Sequence, residues 1–336
     1  MRAWLAPAGA AFGALAALRA EAYRRGALPV ARLRGPVISV GNLSVGGSGK
    51  TPTVALLARW LAEAGAPVAV LSRGYRGSFQ GDALIVSDGE RVLASAAEAG
   101  DEPAMLAHGL PGVVVATGRR RDIVGRAVEA RFGPRVHVLD DGFQHLRLGR
   151  ELDVVCLDPD DLRDRPLPAG RLREFPSALA RAHVGLLVGG ASDTDTGAVD
   201  RVRRLGCDRV LAWRRDVRGF FTPEGEPAPA PRRAFLLAGI ARPGRLEDDV
   251  RTAGAAVAGR RFFADHHAFT PRELEAAAAE ARDHGADALV TTEKDLTRIP
   301  APGTTPPLRV LRIAAAIEDA GWLRERVLAV ARQVPA

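Results

Sequence analysis

The sequence predicts an α/β fold in which a doubly wound, mostly parallel sheet carries a phosphate-binding loop and a second, smaller α/β domain follows. Three observations predict it. Residues 37–53 read VISVGNLSVGGSGKTPT, the order of a buried strand, a glycine-rich loop, Lys-Thr and a helix start. From residue 36 onwards, apolar strands and amphipathic helices alternate. A Pro-rich stretch at 222–232 interrupts this alternation, which then resumes, so the 336 residues are expected to form two domains.

The glycine-rich loop predicts a nucleoside triphosphate site of the P-loop NTPase type, although Ser44 stands where the strict pattern has its first glycine. Lys50 can reach the β- and γ-phosphates, and the Thr51 hydroxyl can ligate Mg²⁺. Only two of the 47 basic residues are lysines. A compact ammonium suits a tight anion site, which favours a specific role for Lys50 over an incidental one in a glycine turn. The predicted nucleotide-binding residues of the loop are Gly46, Gly47, Ser48, Gly49, Lys50 and Thr51.

Composition excludes some classes of protein. With 47% hydrophobic and 26% charged residues, the chain is not a disordered one. The net charge of +7 would suit nucleic acid, but the arginines are scattered among acidic residues and only 5% of residues are aromatic. We therefore expect no nucleic acid partner and favour anionic lipid or a phosphorylated substrate. Cys156 and Cys207 lack the spacing of a zinc site or a disulfide framework, which favours a reducing cytosol.

The first 28 residues predict a helix on a membrane surface. Residues 3–18 are uncharged and apolar but short for crossing a bilayer, and Arg19, Arg24 and Arg25 follow them. A signal peptide would export a nucleotide-binding domain away from its nucleotide. We therefore predict a helix in the membrane interface, with a helix packed on the domain as the alternative.

Residues 29–209 are predicted to form the nucleotide-binding domain, whose ligands should lie at the carboxyl ends of its strands. Its strands are expected near 37–41, 67–71, 84–87, 112–116, 135–140, 153–157 and 184–188. Its helices are expected near 51–65, 101–109, 120–132 and 177–182.

The rest of the chain predicts a hinge and a smaller domain. Residues 210–221 alternate like an exposed strand and, with the linker to 232, form the boundary. Residues 233–306 form the smaller α/β domain, in which Thr270 to Glu273 is a capping box that starts a secure helix. Within it we expect strands near 234–240, 261–264 and 287–292, and helices near 243–254 and 271–285. Residues 307–336 supply a strand near 307–314 and a closing helix near 319–332.

Carboxylates at element ends are the strongest chemical signals beyond the loop. Asp140 and Asp141 end an apolar strand, which alone is often a turn but beside a triphosphate site predicts Mg²⁺ ligands. Asp101 opens a probable helix, where it either favours the helix dipole or acts as a base. His145 follows the aspartates on the turn where substrate would lie. Guanidinium groups suited to phosphate occur at 119–121 and 171–173.

Seven motifs together resemble the tetraacyldisaccharide 4′-kinase family, the lipid A 4′-kinases of Gram-negative bacteria. They are GNLSVGGSGKTP, LSRGY, GDEP, DDGFQH, GRLRE, DHHAF and TTEKD, and they span residues 41–295 in the order of that family. The resemblance implies transfer of the ATP γ-phosphoryl group to the 4′-hydroxyl of a tetraacylated glucosamine disaccharide 1-phosphate. It also implies a peripheral enzyme, expected as a monomer, at the cytoplasmic face of the inner membrane. Two domains joined by a two-stranded hinge are implied as well.

The resemblance also implies roles for matching residues. Asp101 would accept the proton of the 4′-hydroxyl, with His145 alongside it. Arg121 and Arg173 are candidates for stabilising transferred charge or for binding the sugar phosphate, and Lys50 would hold the phosphates. His266 and His267 would reach the nucleotide or close the cleft, unless they form only a strand-end turn. The implied Mg²⁺ ligands are Thr51, one or both of Asp140 and Asp141, and Glu174; the sequence does not decide which aspartate contacts the metal.

Other functions remain open at this point. A membrane-associated P-loop switch ATPase, acting by nucleotide-dependent partner binding, would share the loop, the double aspartate and the N-terminal helix. A nucleic-acid-binding NTPase would use the arginine excess. The second lysine, Lys294, suggests a site-facing position in the TTEKD motif, but the sequence assigns it no role.

Overall fold

The computed structural model describes residues 3–46, 48–189, 196–300 and 303–335. Thirteen strands in these ranges form one continuous sheet. They are β1 (Val37–Asn42), β2 (Val68–Ser72), β3 (Leu84–Ser87), β4 (Val114–Thr117), β5 (Val136–Asp140), β6 (Leu152–Leu157), β7 (Val184–Val188), β8 (Val210–Phe221), β9 (Pro227–Ala228), β10 (Arg233–Ala238), β11 (Ala256–Phe262), β12 (Ala288–Thr292) and β13 (Leu308–Ile317).

The strand order is β11-β10-β12-β13-β8-β7-β6-β1-β5-β2-β4-β3, with β9 paired to β8. Neighbouring strands are parallel except at three pairs, β8 with β13, β3 with β4 and β8 with β9. Because β1 pairs in parallel with β5 and β5 with β2, their carboxyl ends meet at one edge of the sheet. The mostly parallel α/β fold predicted from the sequence is therefore confirmed.

Helices connect most of these strands. Helix α8 begins with the predicted capping box, in which the Thr270 and Glu273 side chains each accept a hydrogen bond from the other residue's backbone N–H. The helices are α1 (Ala6–Arg24), α2 (Lys50–Glu63), α3 (Ala96–Ala99), α4 (Asp101–Gly109), α5 (Arg121–Phe132), α6 (Thr196–Arg204), α7 (Pro243–Thr252), α8 (Pro271–Asp283), α9 (Glu293–Leu296) and α10 (Gly321–Ala331).

Strands β8 and β13 join the two halves of the sheet. They pair antiparallel from Trp213 opposite Ile317 to Phe221 opposite Val310. Strand β7 lies beside β8, and β12 lies beside β13. The ranges 29–209 and 233–306 thus flank this pair, while their behaviour as separate domains stays a prediction.

The helix after the phosphate loop packs against the last helix of the sequence. Val54 and Leu57 of α2 are fully buried in the main apolar cluster. The same cluster contains Leu323, Val327 and Val330 of α10, the last helix. The C-terminal helix therefore completes the core beneath the loop.

Two predicted elements were placed wrongly, and several short elements were missed. Strand β11 covers 256–262 rather than 261–264. The ring of Phe235 on the neighbouring strand packs over Gly259, where any side chain would collide with it, so the strand continues through this glycine. Residues predicted as a helix near 177–182 form only a short 3₁₀ turn, Pro176–Arg181. Helix α6 and the two-residue strand β9 were not predicted at all.

The N-terminal helix α1 packs through glycines and exposes apolar side chains. A Cβ at Gly9 would lie 2.8 Å from the Cβ of Ala169, and one at Gly13 would lie 2.6 Å from the ring of Phe175. The helix therefore does pack on the rest of the protein, as the alternative prediction had it. Large apolar side chains of α1 and the turn before it are nevertheless exposed, namely Trp4, Phe12, Leu15 and Leu18. Within the described ranges, no helix reaches the length and apolar character needed to cross a bilayer.

Candidate active site

The glycine-rich loop runs from β1 into α2 and has the backbone that an anion site requires. Gly49 caps α2 with φ of +83°, and a Cβ there would lie 2.7 Å from the Trp213 ring. Gly46 has φ of +127°. Only glycine adopts both conformations without strain. Gly47 lies outside the described residues.

Polar groups of the loop gather at the start of α2. The ammonium of Lys50 donates to the carbonyl of Gly46 at 3.2 Å and lies 3.6 Å from Asp141 Oδ1. Ser48 is buried and its Oγ makes no hydrogen bond. Thr51 follows as the second residue of the helix and is half-buried. These groups can receive phosphate oxygens at the positive end of the helix.

Asp140, the last residue of β5, is a buried carboxyl group on which Lys50 acts from a distance but which makes no ion pair with a described residue. Ser72 donates to Oδ2 at 3.4 Å, whereas Oδ1 is buried and has no hydrogen-bond partner in the described part of the chain. Burial raises the pKa of Asp140, and the neighbouring Glu102 and Asp141 raise it further. An unpartnered carboxylate oxygen among negative neighbours fits a divalent cation, so the residues present suit Mg²⁺.

Asp141 has the opposite environment. Its backbone is left-handed, with φ of +57°, and Arg173 Nη1 lies 2.8 Å from both of its carboxylate oxygens. Although burial opposes it, Lys50 and Arg173 hold the pKa of Asp141 below its usual range. Arg121 contributes in the same direction. Two cations already contact Asp141, which leaves Asp140 as the better candidate metal ligand.

Asp101, the first residue of α4, is only 9% exposed and is contacted from the second half of the chain. Its Oδ2 lies 2.7 Å from Nδ1 of His266 and 3.3 Å from Nε of Arg298. In the part of the chain that the structure describes, Oδ1 makes no such contact. One oxygen is thus held by side chains from the second half of the chain, while the other keeps its capacity to accept a proton, which a general base requires.

The loop after β2 meets the same segment as Asp101. Arg76 donates to the carbonyl of Asp265 at 3.2 Å, and the Tyr75 ring contacts His266 edge-on. A cavity of about 330 Å³ lies between residues 73–81, residues 98–99 and residues 117–119. Glu98 and Ala99, which line the cavity, come directly before Gly100 and Asp101 in the sequence, so the cavity lies next to the start of α4.

The structure does not bring His145 to Asp101, contrary to the sequence prediction, because His266 holds that position. His145 lies instead among arginines, and its Nε2 is buried without a hydrogen bond. Burial and the charge of Arg121 lower the pKa of His145 to about 3. It is therefore neutral near pH 7.

Glu174 and His267 also lie apart from the predicted groups. Glu174 accepts a hydrogen bond from Arg181 at 3.0 Å, in a hollow beneath α1. Among the described residues, no three His, Cys, Asp or Glu side chains form a metal cluster, so Glu174 does not join the aspartates. His267 hydrogen-bonds Glu273 at 3.0 Å and stacks on Phe263 at 4.3 Å, which makes it part of the local packing.

Arg121 lies beside the aspartates and is buried, with only 6% of its surface exposed. Its Nη1 donates to the carbonyl of Arg119 at 3.0 Å, while its Nε makes no hydrogen bond. Burial lowers the pKa of Arg121 to about 10, against the opposing effect of Asp141. A guanidinium that remains charged but incompletely bonded is suited to an anionic ligand.

Comparison with known proteins identifies the family. A family model described as tetraacyldisaccharide-1-P 4′-kinase (LpxK) matches residues 1–332. The chain belongs to this family. A tetraacyldisaccharide 4′-kinase of Anaeromyxobacter dehalogenans (strain 2CP-C) is 43% identical over 342 residues, covering 95% of this chain and 88% of the relative. That of Desulfotalea psychrophila is 37% identical and covers 90% of this chain and 89% of the relative.

A solved structure agrees with the assignment. The crystal structure of the "apo" form of LpxK from Aquifex aeolicus in complex with ATP matches with a TM-score of 0.81 at 30% identity. The match covers 98% of this chain and 99% of that chain. The chain is thus an ATP-dependent, Mg²⁺-using kinase of lipid A biosynthesis, as the motifs predicted. A switch ATPase is not favoured.

Sequence reasoning missed both partners of Asp101 in this kinase. His266 was assigned to the nucleotide or to cleft closure rather than to Asp101, and Arg298 was not considered. The contact of Asp101 with His266 joins residues 165 positions apart. The sequence signal that could have suggested this contact was the presence of two polar motifs, GDEP and DHHAF, in opposite halves of the chain.

Proposed function

We propose that Asp101 is the base that activates the 4′-hydroxyl of the tetraacylated disaccharide 1-phosphate, and that His266 holds it in place. The 2.7 Å contact between His266 Nδ1 and Asp101 Oδ2 carries this proposal. Oδ1 then accepts the hydroxyl proton. As it does so, the hydroxyl oxygen bonds to the γ-phosphorus of ATP and the bond from that phosphorus to the ADP oxygen breaks.

In the same proposal, the loop and nearby arginines bind the phosphates. Lys50 and the backbone N–H groups at the start of α2 hold the β- and γ-phosphates. Arg121 and Arg173, whose charges both act on Asp141, stabilise the transferred phosphoryl group. Mg²⁺, held by Asp140 and the Thr51 hydroxyl, supplies positive charge to the phosphate oxygens when it is bound.

The acceptor is tested by phosphoryl transfer from γ-³²P-labelled ATP to the purified disaccharide 1-phosphate. We expect label in the lipid, and no label in an analogue that lacks the 4′-hydroxyl. Labelling of that analogue would contradict the proposed acceptor. Two results together would support the switch ATPase instead: rapid ATP hydrolysis when no lipid is present, and no label in the lipid when it is added.

We also propose that the kinase works at the cytoplasmic face of the inner membrane, with α1 at the surface. Support comes from the apolar side chains that α1 exposes, with Leu15 and Leu18 each 67% exposed. Arg19, Arg24 and Arg25 are exposed at the end of the same helix or just after it. Such a helix binds the interface of an anionic bilayer without crossing it.

Flotation with phosphatidylethanolamine–phosphatidylglycerol vesicles tests this surface. The double change Leu15→Glu and Leu18→Glu should abolish flotation, because it leaves the buried glycine face intact and charges the outer face. Leu93→Glu is the matched control, since Leu93 is 44% exposed elsewhere on the protein. Equal flotation of the two variants would contradict the proposal.

The kinase is further proposed to act as a monomer, since Asp101, His266 and Arg298 all come from one chain. Sedimentation equilibrium of the full-length protein with detergent-solubilised lipid measures this directly. A dimer at assay concentrations would contradict it.

A further inference from the structure

The second lysine of the chain lies at the Asp101 end of the cleft. Lys294, the second residue of α9, places its ammonium 3.1 Å from Asp265 Oδ1 and 3.4 Å from His266 Nε2. Its side chain is 21% exposed. The phosphate-transfer chemistry described above does not use this residue.

The contact between Lys294 and the imidazole constrains where the histidine carries its proton. An ammonium group has three N–H donors and no lone pair, so it can only donate. Nε2 of His266 can accept only when it is unprotonated, and the single proton of the neutral ring then sits on Nδ1. Nδ1 is the atom 2.7 Å from Asp101 Oδ2, to which it donates. One tautomer therefore satisfies both contacts.

The other protonation states leave like groups facing each other. With the proton on Nε2, an N–H would face the ammonium and a bare Nδ1 lone pair would face the carboxylate of Asp101. With both nitrogens protonated, an imidazolium N–H would face the Lys294 ammonium. The first arrangement is unfavourable at both nitrogens, whereas the second keeps its Nδ1–H on Asp101 and is unfavourable at Nε2, where it faces the ammonium.

One neighbouring carboxylate competes with this preference. Asp265 Oδ2 lies 3.5 Å from Nε2 and would favour a proton there. Lys294 contacts the other oxygen of Asp265, at 3.1 Å, and thereby neutralises it. Arg298 acts on the far side, at Asp101 Oδ2, and the Tyr75 ring lies edge-on to the imidazole. The backbone of His266 is in the left-handed conformation, with φ of +67°.

We propose that Lys294 is a positioning residue that holds neutral His266 in the tautomer with its proton on Nδ1. In this state Asp101 Oδ2 is occupied as an acceptor, and Oδ1 is left for the substrate hydroxyl. The catalytic consequence rests on the proposed function of Asp101, whereas the tautomer does not. The scarcity of lysine in this arginine-rich chain agrees with the assignment, because a compact ammonium can contact Asp265 and His266 together.

The tautomer is measured directly by long-range ¹H–¹⁵N correlation NMR on the full-length protein with ¹⁵N-labelled histidine. The chain has 7 histidines, and the spectrum of His266→Gln identifies the His266 signals. We expect the wild-type protein near pH 7.5 to show a protonated Nδ1 and an unprotonated Nε2. A protonated Nε2 in the wild-type protein would overturn the proposal.

Three variants test whether Lys294 causes this state. Lys294→Met removes the donor at similar length, and we expect His266 to lose the single Nδ1–H tautomer. Lys294→Arg keeps a group that can only donate, so the wild-type signals should return. Asp265→Asn removes the competing charge and should leave the Nδ1–H tautomer in place. An unchanged tautomer in Lys294→Met would overturn the proposal.

Kinetics then separate positioning from mere support of the fold. Lys294→Met should lower kcat by about 10- to 100-fold, as loss of a partner that orients a histidine does, with an unchanged KM for ATP and partial rescue by Arg. An unchanged kcat despite an altered tautomer would overturn the positioning role. Full activity in Asp101→Asn would instead refute the proposed function, while the NMR result for the tautomer would stand.

Discussion

The two buried carboxylates of the cleft, Asp101 and Asp140, are held in opposite ways. Asp101 receives its partners, His266 and Arg298, from the second half of the chain. Asp140 lies at a strand end within the first half, and the charges that act on it most, Glu102 and Asp141, are negative. The Asp101 end is therefore complete only when the two halves of the chain meet. The Asp140 end is assembled locally but still requires a cation.

The largest effect should come from Asp101→Asn, which keeps the shape of the side chain and removes the base. We expect kcat to fall by about 10²–10⁴-fold, the range for loss of a positioned base. ATP affinity, measured by calorimetry, should be unchanged because the phosphate loop is untouched. Near-normal turnover would remove the functional distinction between the two carboxylates.

Asp140→Asn tests the other end. We expect the Mg²⁺ concentration for half-maximal activity to rise at least ~10-fold, because even partners outside a metal's ligand shell have effects of that size. Without Mg²⁺, the variant should resist urea better than the wild type near pH 7, because burial raises the pKa of Asp140 and the folded wild type therefore loses stability above the ordinary pKa of this carboxyl.

Asp141→Asn is the matched control for that change. It removes the partner of Arg173 and Lys50, so it should lower stability with or without Mg²⁺. If Asp140→Asn left the Mg²⁺ titration unchanged, the double aspartate would be a structural turn.

Trp213 offers a smaller effect at the phosphate loop, because it lies on β8, one of the two strands that join the halves of the sheet. Its Nε1 donates to Thr53 Oγ1 at 2.9 Å, and its ring packs on Gly49 of the phosphate loop. Trp213→Phe should lower the free energy of unfolding by at least the net value of one hydrogen bond, about 0.5–1.5 kcal/mol. We expect ATP binding to change the tryptophan fluorescence of the wild type and of Trp4→Phe, the control at an exposed site. This change should be absent in Trp213→Phe. Persistence of the signal in Trp213→Phe would show that β8 does not sense the loop.

The effect of His145, near the Asp140 end, is the smallest at pH 7, because it develops only as the pH falls. Since its pKa falls from 6.5 to about 3, the native protein binds fewer protons than the unfolded chain between these values. The free energy of unfolding therefore decreases as pH drops through this window, and His145→Gln should remove that part of the decrease. Urea titrations at several pH values measure it, with the exposed His108→Gln as control. If the free energy of unfolding falls equally with pH in His145→Gln and in the wild type, the buried, neutral state of His145 is contradicted.

Local sequence predicted most of this site and its scaffold. The loop, Asp101 and Asp140 each place a chemically informative side chain at the end of a strand or the start of a helix. Neighbouring residues in the sequence are enough to predict such a boundary. The partner of Asp101 was not predictable in this way. The sequence offered His145, His266 and His267, and only the packing of two distant segments selects His266.

Other errors have the same origin. Glu174 sits in the motif next to Arg173, yet adjacent side chains point apart, so one contacts Asp141 and the other Arg181. Strand β11 was misplaced because Gly259 weakens its pattern, whereas Phe235 from the neighbouring strand compensates in the fold. In each case a tertiary contact overrides the local signal.

The packing of α10 on α2 has a consequence for synthesis of the protein on the ribosome. The phosphate loop is synthesised before α10 and leaves the ribosome first. The helix that follows the loop nevertheless shares its core with Leu323, Val327 and Val330 of α10. Until α10 has left the ribosome, an apolar face of α2 is exposed in the nascent chain. A chain that stops before Leu323 would therefore contain the complete loop but leave its supporting helix partly unburied.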